Sequence, residues 1–510
     1  MIDLMQRLKT ARNAGVPLVL ITTPDPATLV ERIRGAFNGN APPIVQWDCV
    51  RAMLGVNRQG ADLINMIVPP PEPGGFAPPP GATLTDAIDL ILTRAPDKTI
   101  LIVHNIQRFT DQSETVQAIS NARDPFKSSG KMLILLAPAA KLPIEISNDV
   151  MALDDPLPTG PEIEATIDRE TEAAGDVYTL EPLAPETRRA SIDALIGLPA
   201  FTVEQSLAMC LTENHAVRSA DLWERKRGAL TQGLTMDDGT RSLATMGGLT
   251  QIKGFCHLMM KGENPPALFI RIDEIEKAMA GAGGDLSGVS TDQLGVLLSA
   301  LEDNGWSGAI LVGVPGSGKS ELSKSLGASY GRRTLTLDLG AAKGSLVGQS
   351  EAQIRQMVKT IASMAGNKAF FLASCNKLET LPPELRRRFR AGIWFFDLPS
   401  AEEREAIWQV QLTAFGLPLD SPRPADEGWT GAEIRNACEW AKRLRVSPAD
   451  AAPYIVPIAQ SDPDSVDRLR RAAAGKWLSA SYPGAYRMPT ASTQTAAPAR
   501  RYVGGPDGTT

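Results

Sequence analysis

The run Gly313-Val314-Pro315-Gly316-Ser317-Gly318-Lys319-Ser320 has the residue types and spacing to hold a phosphate chain. It follows an apolar stretch, Ala309-Ile310-Leu311-Val312, and precedes a helical pattern opening at Glu321. Strand, glycine-rich loop and helix in that order give G-x-x-x-x-G-K-[ST] its structural context. The glycines let the backbone close round phosphates, and the helix N-terminus aims N–H groups at them. Lys319 is expected to neutralise the β- and γ-phosphates and Ser320 to hold Mg²⁺. Pro315, Ser317 and Glu321 complete the expected nucleotide-binding set with Gly313, Gly316 and Gly318. The alternative is a glycine-rich turn that merely contains Lys-Ser, and both flanks speak against it.

Phosphate binding alone does no chemistry. Hydrolysis needs an acid near the metal and a second one to take a proton from water. Past Ser320 no apolar strand ends in such a pair, since Lys368–Ala373 runs into Ser374-Cys375-Asn376. The candidate lies earlier, where Ala267–Ile272 closes in Asp273-Glu274. Asp273 is expected to reach Mg²⁺ through water, with Glu274 as general base. Asn376, at a strand end, is placed to bond the attacking water or the γ-phosphate, or else simply to cap a turn. The run Leu381–Phe389 puts Arg387 and Arg388 just after a short helix, where they could reach a neighbouring subunit's nucleotide.

The elements that must position these residues alternate along the chain. Val16–Thr22, Lys98–Val103 and Met132–Leu136 read as strands, with helices at Ala27–Phe37 and Asp86–Thr93, which implies a parallel, doubly wound sheet. This first region imitates a nucleotide-binding domain with its chemical positions empty: Thr22-Thr-Pro-Asp-Pro follows the first strand, and His104-Asn105 follows a later one. A degenerate copy of the phosphate-binding fold and an unrelated α/β domain are both open. Pro69–Gly81 reads as a loop, Glu181–Leu195 and Val203–Leu211 as helices, and Met246-Gly-Gly-Leu249 as a junction. Ser400 is a plausible N-cap for a helix at Ala401–Thr413, and Thr430–Arg435 opens another. The last stretch, Pro489–Thr510, has a disordered composition.

Composition bounds the rest. A chain of 510 residues exceeds one core, and 43% apolar with 22% charged residues is ordinary for a globular protein. A formal charge of −6 gives no bulk field for nucleic acid, which is not an expected partner. The five cysteines are scattered and the three histidines far apart, so neither a zinc site, a disulfide framework nor a histidine triad is expected. No leader pattern and no membrane-length apolar run appear, which predicts a soluble protein of a reducing cytoplasm, the host's if phage-encoded.

Taken together, Gly313–Ser320, Asp273-Glu274, Asn376, Leu381–Phe389 and Gly431-Ala-Glu-Ile434 resemble the AAA+ ATPases. The whole chain is similar to the AAA ATPase family first met as a hypothetical chloroplast reading frame and spread through cyanobacteria, plastids, other bacteria and phages. Met246–Leu249, Leu346–Glu351 and Leu381–Leu385 carry that closer likeness. The resemblance implies ATP and Mg²⁺ as cofactors, Asn376 as sensor, Arg387 or Arg388 as arginine finger, and a ring or helical oligomer, with a hexamer as the expected state. Three features depart from it. The acidic pair precedes the phosphate loop, so the strands must be joined in rearranged order, which a crossover through a helix at Ser290–Asp303 permits while keeping the spatial order 5-1-4-3-2. The segment Gly344–Gly348, which would face a ring's pore, has no aromatic residue, and Arg435 stands one position off the usual second sensor.

The expected fold is therefore α/β: a degenerate P-loop-like domain (1–155), a helical lid or linker region (156–245), an AAA+ core with a parallel five-stranded sheet (246–400), a helical lid (401–488) and a disordered tail (489–510). The expected function is ATP-driven remodelling of a protein client at subunit interfaces. The alternative is an ATP-gated assembly module that hydrolyses slowly or not at all.

Overall fold

The computed structural model describes residues 3–37, 42–67, 81–139, 142–276, 289–339, 349–376 and 383–489. The expected loop over residues 69–80, the pore-facing segment 344–348, Leu381-Pro382 and the tail 490–510 lie outside the described residues. The described residues of Met1–Met236, Gly281–Asn304 and Leu337–Asn367 form one compact unit, and those of Asp237–Ala280, Gly305–Thr336 and Lys368–Thr510 a second.

In the first unit the strands are β1 (Leu18–Thr22), β2 (Ile44–Asp48), β3 (Ala52–Gly55), β4 (Ile100–Val103), β5 (Met132–Ala137) and β6 (Met151–Asp154). They form a six-stranded sheet in the order β3-β2-β4-β5-β1-β6. All pairs are parallel except β2 with β3, an antiparallel hairpin the sequence did not announce. The apolar runs are continuous because both faces are covered. Leu18 and Leu20 enter one core with Leu133 and Leu135, whereas Val19 and Ile21 enter the other with Ile134 and Leu136. That is the two-residue alternation of a strand covered on both sides.

Four helices follow, Gly160–Gly175, Pro185–Leu195, Ala200–Asn214 and Ser219–Ala229, and pack through Ile163, Ile167, Leu195, Leu207 and Leu211. The helix expected from Glu181 starts only at Pro185, the first residue whose fixed φ suits a helix start. A short strand, β7 (Leu234–Met236), ends this stretch. Helix Val289–Asp303 covers the expected crossover segment.

The second unit carries β8 (Leu268–Ile272), β9 (Ser307–Gly313), β10 (Arg333–Leu337), β11 (Ala369–Cys375), β12 (Ile393–Phe396) and β13 (Leu478–Ser479). They lie in the order β13-β12-β9-β11-β8-β10, and every pair among them is parallel. β12 to β10 reproduce the expected spatial order, although β8 precedes β9 in the chain. The sheet is wider than the five strands expected, because β13 adds to the β12 edge. β8 is buried along its whole length and is paired on its two edges by β11 and β10. Helix Ala401–Phe415 starts at Ser400 with a capping box to Glu403, and helix Gly431–Leu444 at Thr430 with one to Glu433. Among the described residues no helix is long and apolar enough to cross a membrane.

Candidate functional site

Because β8, β9, β11 and β12 are parallel, their C-terminal ends open on one side of the sheet. Val312 pairs with Cys375, Gly313 with Phe396, and Ile272 with Ala373. The loop after β9 and the turn after β8 thus flank the end of β11.

The glycine loop is shaped by what packs against it. A Cβ on Gly313 would sit 2.1 Å from the Phe396 carbonyl oxygen. Gly316 has φ +80°, and a Cβ there would lie 2.8 Å from Thr430 Oγ1. The Ala432 N–H also donates to the Gly316 carbonyl at 3.2 Å, so helix Gly431–Leu444 begins on the loop itself. Helix Lys319–Ser329 starts after Gly318. Pro315 and Ser320 are exposed, and Ser317 Oγ is buried with no hydrogen-bond partner among the described residues. The Glu321 carboxylate accepts a hydrogen bond from Arg241 Nη1 at 2.5 Å.

Lys319 is only 7% exposed, and its ammonium donates to the carbonyls of Gly313 (2.8 Å) and Val314 (3.0 Å). Burial pulls its pKa down to about 8, opposed by the nearby Glu276, Cys375 and Glu274. An ammonium held on neutral carbonyls exchanges them readily for phosphate oxygens.

At the end of β8, Asp273 Oδ2 accepts from Arg271 Nη1 at 2.6 Å. Arg271 is itself buried, donating to Thr336 Oγ1 through Nε and Nη2 and lying 3.6 Å from the Asp237 carboxylate. Glu274 takes φ +49°, uncommon for a residue with a side chain, and its N–H donates to Ser374 Oγ at 3.0 Å. Asn376 follows β11 directly, and its N–H donates to Glu276 Oε1 at 3.0 Å. Asp273, Glu274 and Asn376 are thus brought together at two adjacent strand ends.

Arg387 and Arg388 sit within helix Pro383–Arg388 and not after it as expected. Arg387 is exposed and Arg388 partly so. Arg435 is exposed on its helix.

Two features escaped the sequence reading. Glu276 is buried in the acidic turn, and only burial distinguishes it from Glu274 in an acidic run. The Gly247-Gly248-Leu249 segment docks on helix Ala401–Phe415, where the Leu249 N–H donates to Glu403 Oε1 at 2.9 Å.

The first unit holds none of this chemistry at its matching positions. Asp25 caps helix Pro26–Ala36 by accepting from the Thr28 N–H, and His104 bonds Gln46 at the end of β4.

Residues 4–154 match the family model of the SpoVK-like AAA ATPase N-terminal domain, and residues 309–368 match that of the ATPase family associated with various cellular activities. The chain thus carries two segments that match AAA ATPase family models, one N-terminal and one over the glycine loop. The second match begins at Ala309, after the strand that carries Asp273. The chain is similar to the AAA domain-containing protein ycf46 of Guillardia theta, at 23% identity over 80% of this chain and 85% of the relative. It is likewise similar to the ycf46 proteins of Gracilaria tenuistipitata var. liui (23%; 67% and 73% covered) and Pyropia yezoensis (20%; 91% and 96%).

Proposed function

We propose that this AAA ATPase hydrolyses MgATP with Glu274 as general base and couples the cycle to remodelling of a protein partner within an oligomer. What best supports the reading is the joint at the strand ends, where Glu274 and Asn376 are tied across β8 and β11 beside the loop that holds Lys319. Lys319 leaves its carbonyls for the β- and γ-phosphate oxygens. The residues suit Mg²⁺: the Ser320 hydroxyl is exposed at the helix start and the Asp273 carboxylate lies in the neighbouring turn. A Mg²⁺ shared with a triphosphate takes few protein ligands. When bound, it would neutralise charge on the phosphate oxygens. Glu274 accepts a proton from water as the water oxygen attacks the γ-phosphorus and ADP departs. The Asn376 side chain orients that water, and Arg387 or Arg388 of a neighbouring copy meets the charge developing on the phosphoryl group.

On this reading the domains are a degenerate ATPase-like region (1–155), a helical linker (156–245), the core (246–400), a lid (401–488) and a tail. A cytoplasmic protein without a nucleic-acid partner fits the acidic charge. A second reading, an ATP-gated assembly module with negligible turnover, is favoured by one observation: Asp273 is engaged by Arg271.

The test is ATP turnover of Glu274→Gln beside wild type, with nucleotide binding followed in the same samples. Retained binding with turnover reduced ~10²-fold or more is expected for loss of a general base. Equal turnover in both would remove Glu274 from the mechanism. Tight binding without turnover in wild type would favour the assembly module.

A further inference from the structure

Glu276 is the one acid of the β8 turn whose side chain is nine-tenths buried, with 8% exposure. A carboxylate is removed from water only at a cost, which its hydrogen bonds must offset. Oε1 accepts the Asn376 N–H at 3.0 Å, while Oε2 is buried with no hydrogen-bond partner among the described residues. Had the turn needed only an apolar plug, a residue such as its neighbour Ile275, fully buried, would serve better. The acid stands where the chain leaves β11, and its bond fixes the backbone of the residue expected to read the γ-phosphate. Its charge also opposes the effect of burial on Lys319, together with those of Cys375 and Glu274.

We propose that Glu276 is a positioning residue: it holds Asn376 through the backbone so that the site distinguishes ATP from ADP. This rests on the nucleotide-site reading above, with Asn376 as the group that senses the γ-phosphate. The free Oε2 then serves as acceptor for a hydrogen-bond donor, such as an ordered water, that arrives with the nucleotide.

The experiment measures ATP and ADP dissociation constants for wild type, Asn376→Ala, Glu276→Ala, Glu276→Gln and the double alanine variant, using full-length chain. Glutamine keeps an oxygen to accept the Asn376 N–H, so Glu276→Gln guards against a variant that only unfolds. The ATP-over-ADP preference should fall about tenfold in Glu276→Ala, the size of one lost charge-assisted hydrogen bond, and the double variant should lose no more than Asn376→Ala alone. Glu276→Gln should recover most of the preference. Preference unchanged in folded Glu276→Ala, additive losses in the double variant, or equal losses in Gln and Ala would each overturn the role while leaving nucleotide binding intact. No nucleotide binding by wild type would instead sink the parent reading, and this role with it.

Discussion

Lys319 concentrates the residue-scale physics. Its type and place were legible in the sequence, but its buried state was not, because burial depends on strands far away in the chain. Burial sets its pKa near about 8 in the nucleotide-free site. Below that pH the ammonium is charged and ready for phosphate, and above it the empty site loses the charge. ATP affinity should therefore hold below pH ~8 and fall as pH rises further, approaching about tenfold per unit. Titrating the ATP dissociation constant against pH, with Lys319→Ala as control for the nucleotide's own ionisation, checks this. A wild-type profile parallel to that of the alanine variant would exclude the lysine. Asp273 makes a complementary case. Its place at a strand end could be read from an apolar run closing in an acid, whereas its ion pair with Arg271 could not, since Arg271 is oriented by Thr336 and Asp237 on other segments.

At the scale of elements, the glycine loop and helix Gly431–Leu444 are one construction. Gly316 is needed twice, for a φ of +80° and for the approach of Thr430. Gly316→Ala should weaken nucleotide binding and lower the melting temperature, with backbone strain alone of about 1–3 kcal/mol. Calorimetry or a thermal melt beside an ATP titration would show it. A stable variant with wild-type affinity would mean the loop is more adaptable than its packing implies. The Gly-x-x-x-x-Gly-Lys-Ser spacing singled out this loop between a strand and a helix. That Gly316 meets the start of helix Gly431–Leu444 came only from tertiary packing. Helix starts were read well from local chemistry, as at Ser400 and Thr430, because capping needs only residues three apart. The arginine helix was placed a few residues early, since a run of arginines carries no boundary signal of its own.

For the whole molecule, the proposed arginine acts between copies. Specific turnover should then rise with protein concentration as copies associate. An Arg387→Ala/Arg388→Ala variant should be nearly inactive alone. Mixed with Glu274→Gln, it should regain part of the activity, because each copy supplies what its neighbour lacks. Turnover independent of concentration, with no complementation, would place hydrolysis within single chains. Mass photometry of the same samples gives the subunit number.

The sequence by itself determined the local features that short spacings carry: the glycine loop between a strand and a helix, the acidic strand end, the helix caps and the alternation of strands and helices. These are local, set by hydrogen bonds and periodicity over a few residues. Only the tertiary structure decided which strands are neighbours, that β8 stands two places from β9 despite preceding it, and that Glu276 turns inward to hold Asn376. Strand pairing and burial join residues a hundred positions apart, and no local pattern encodes which buried edge meets which.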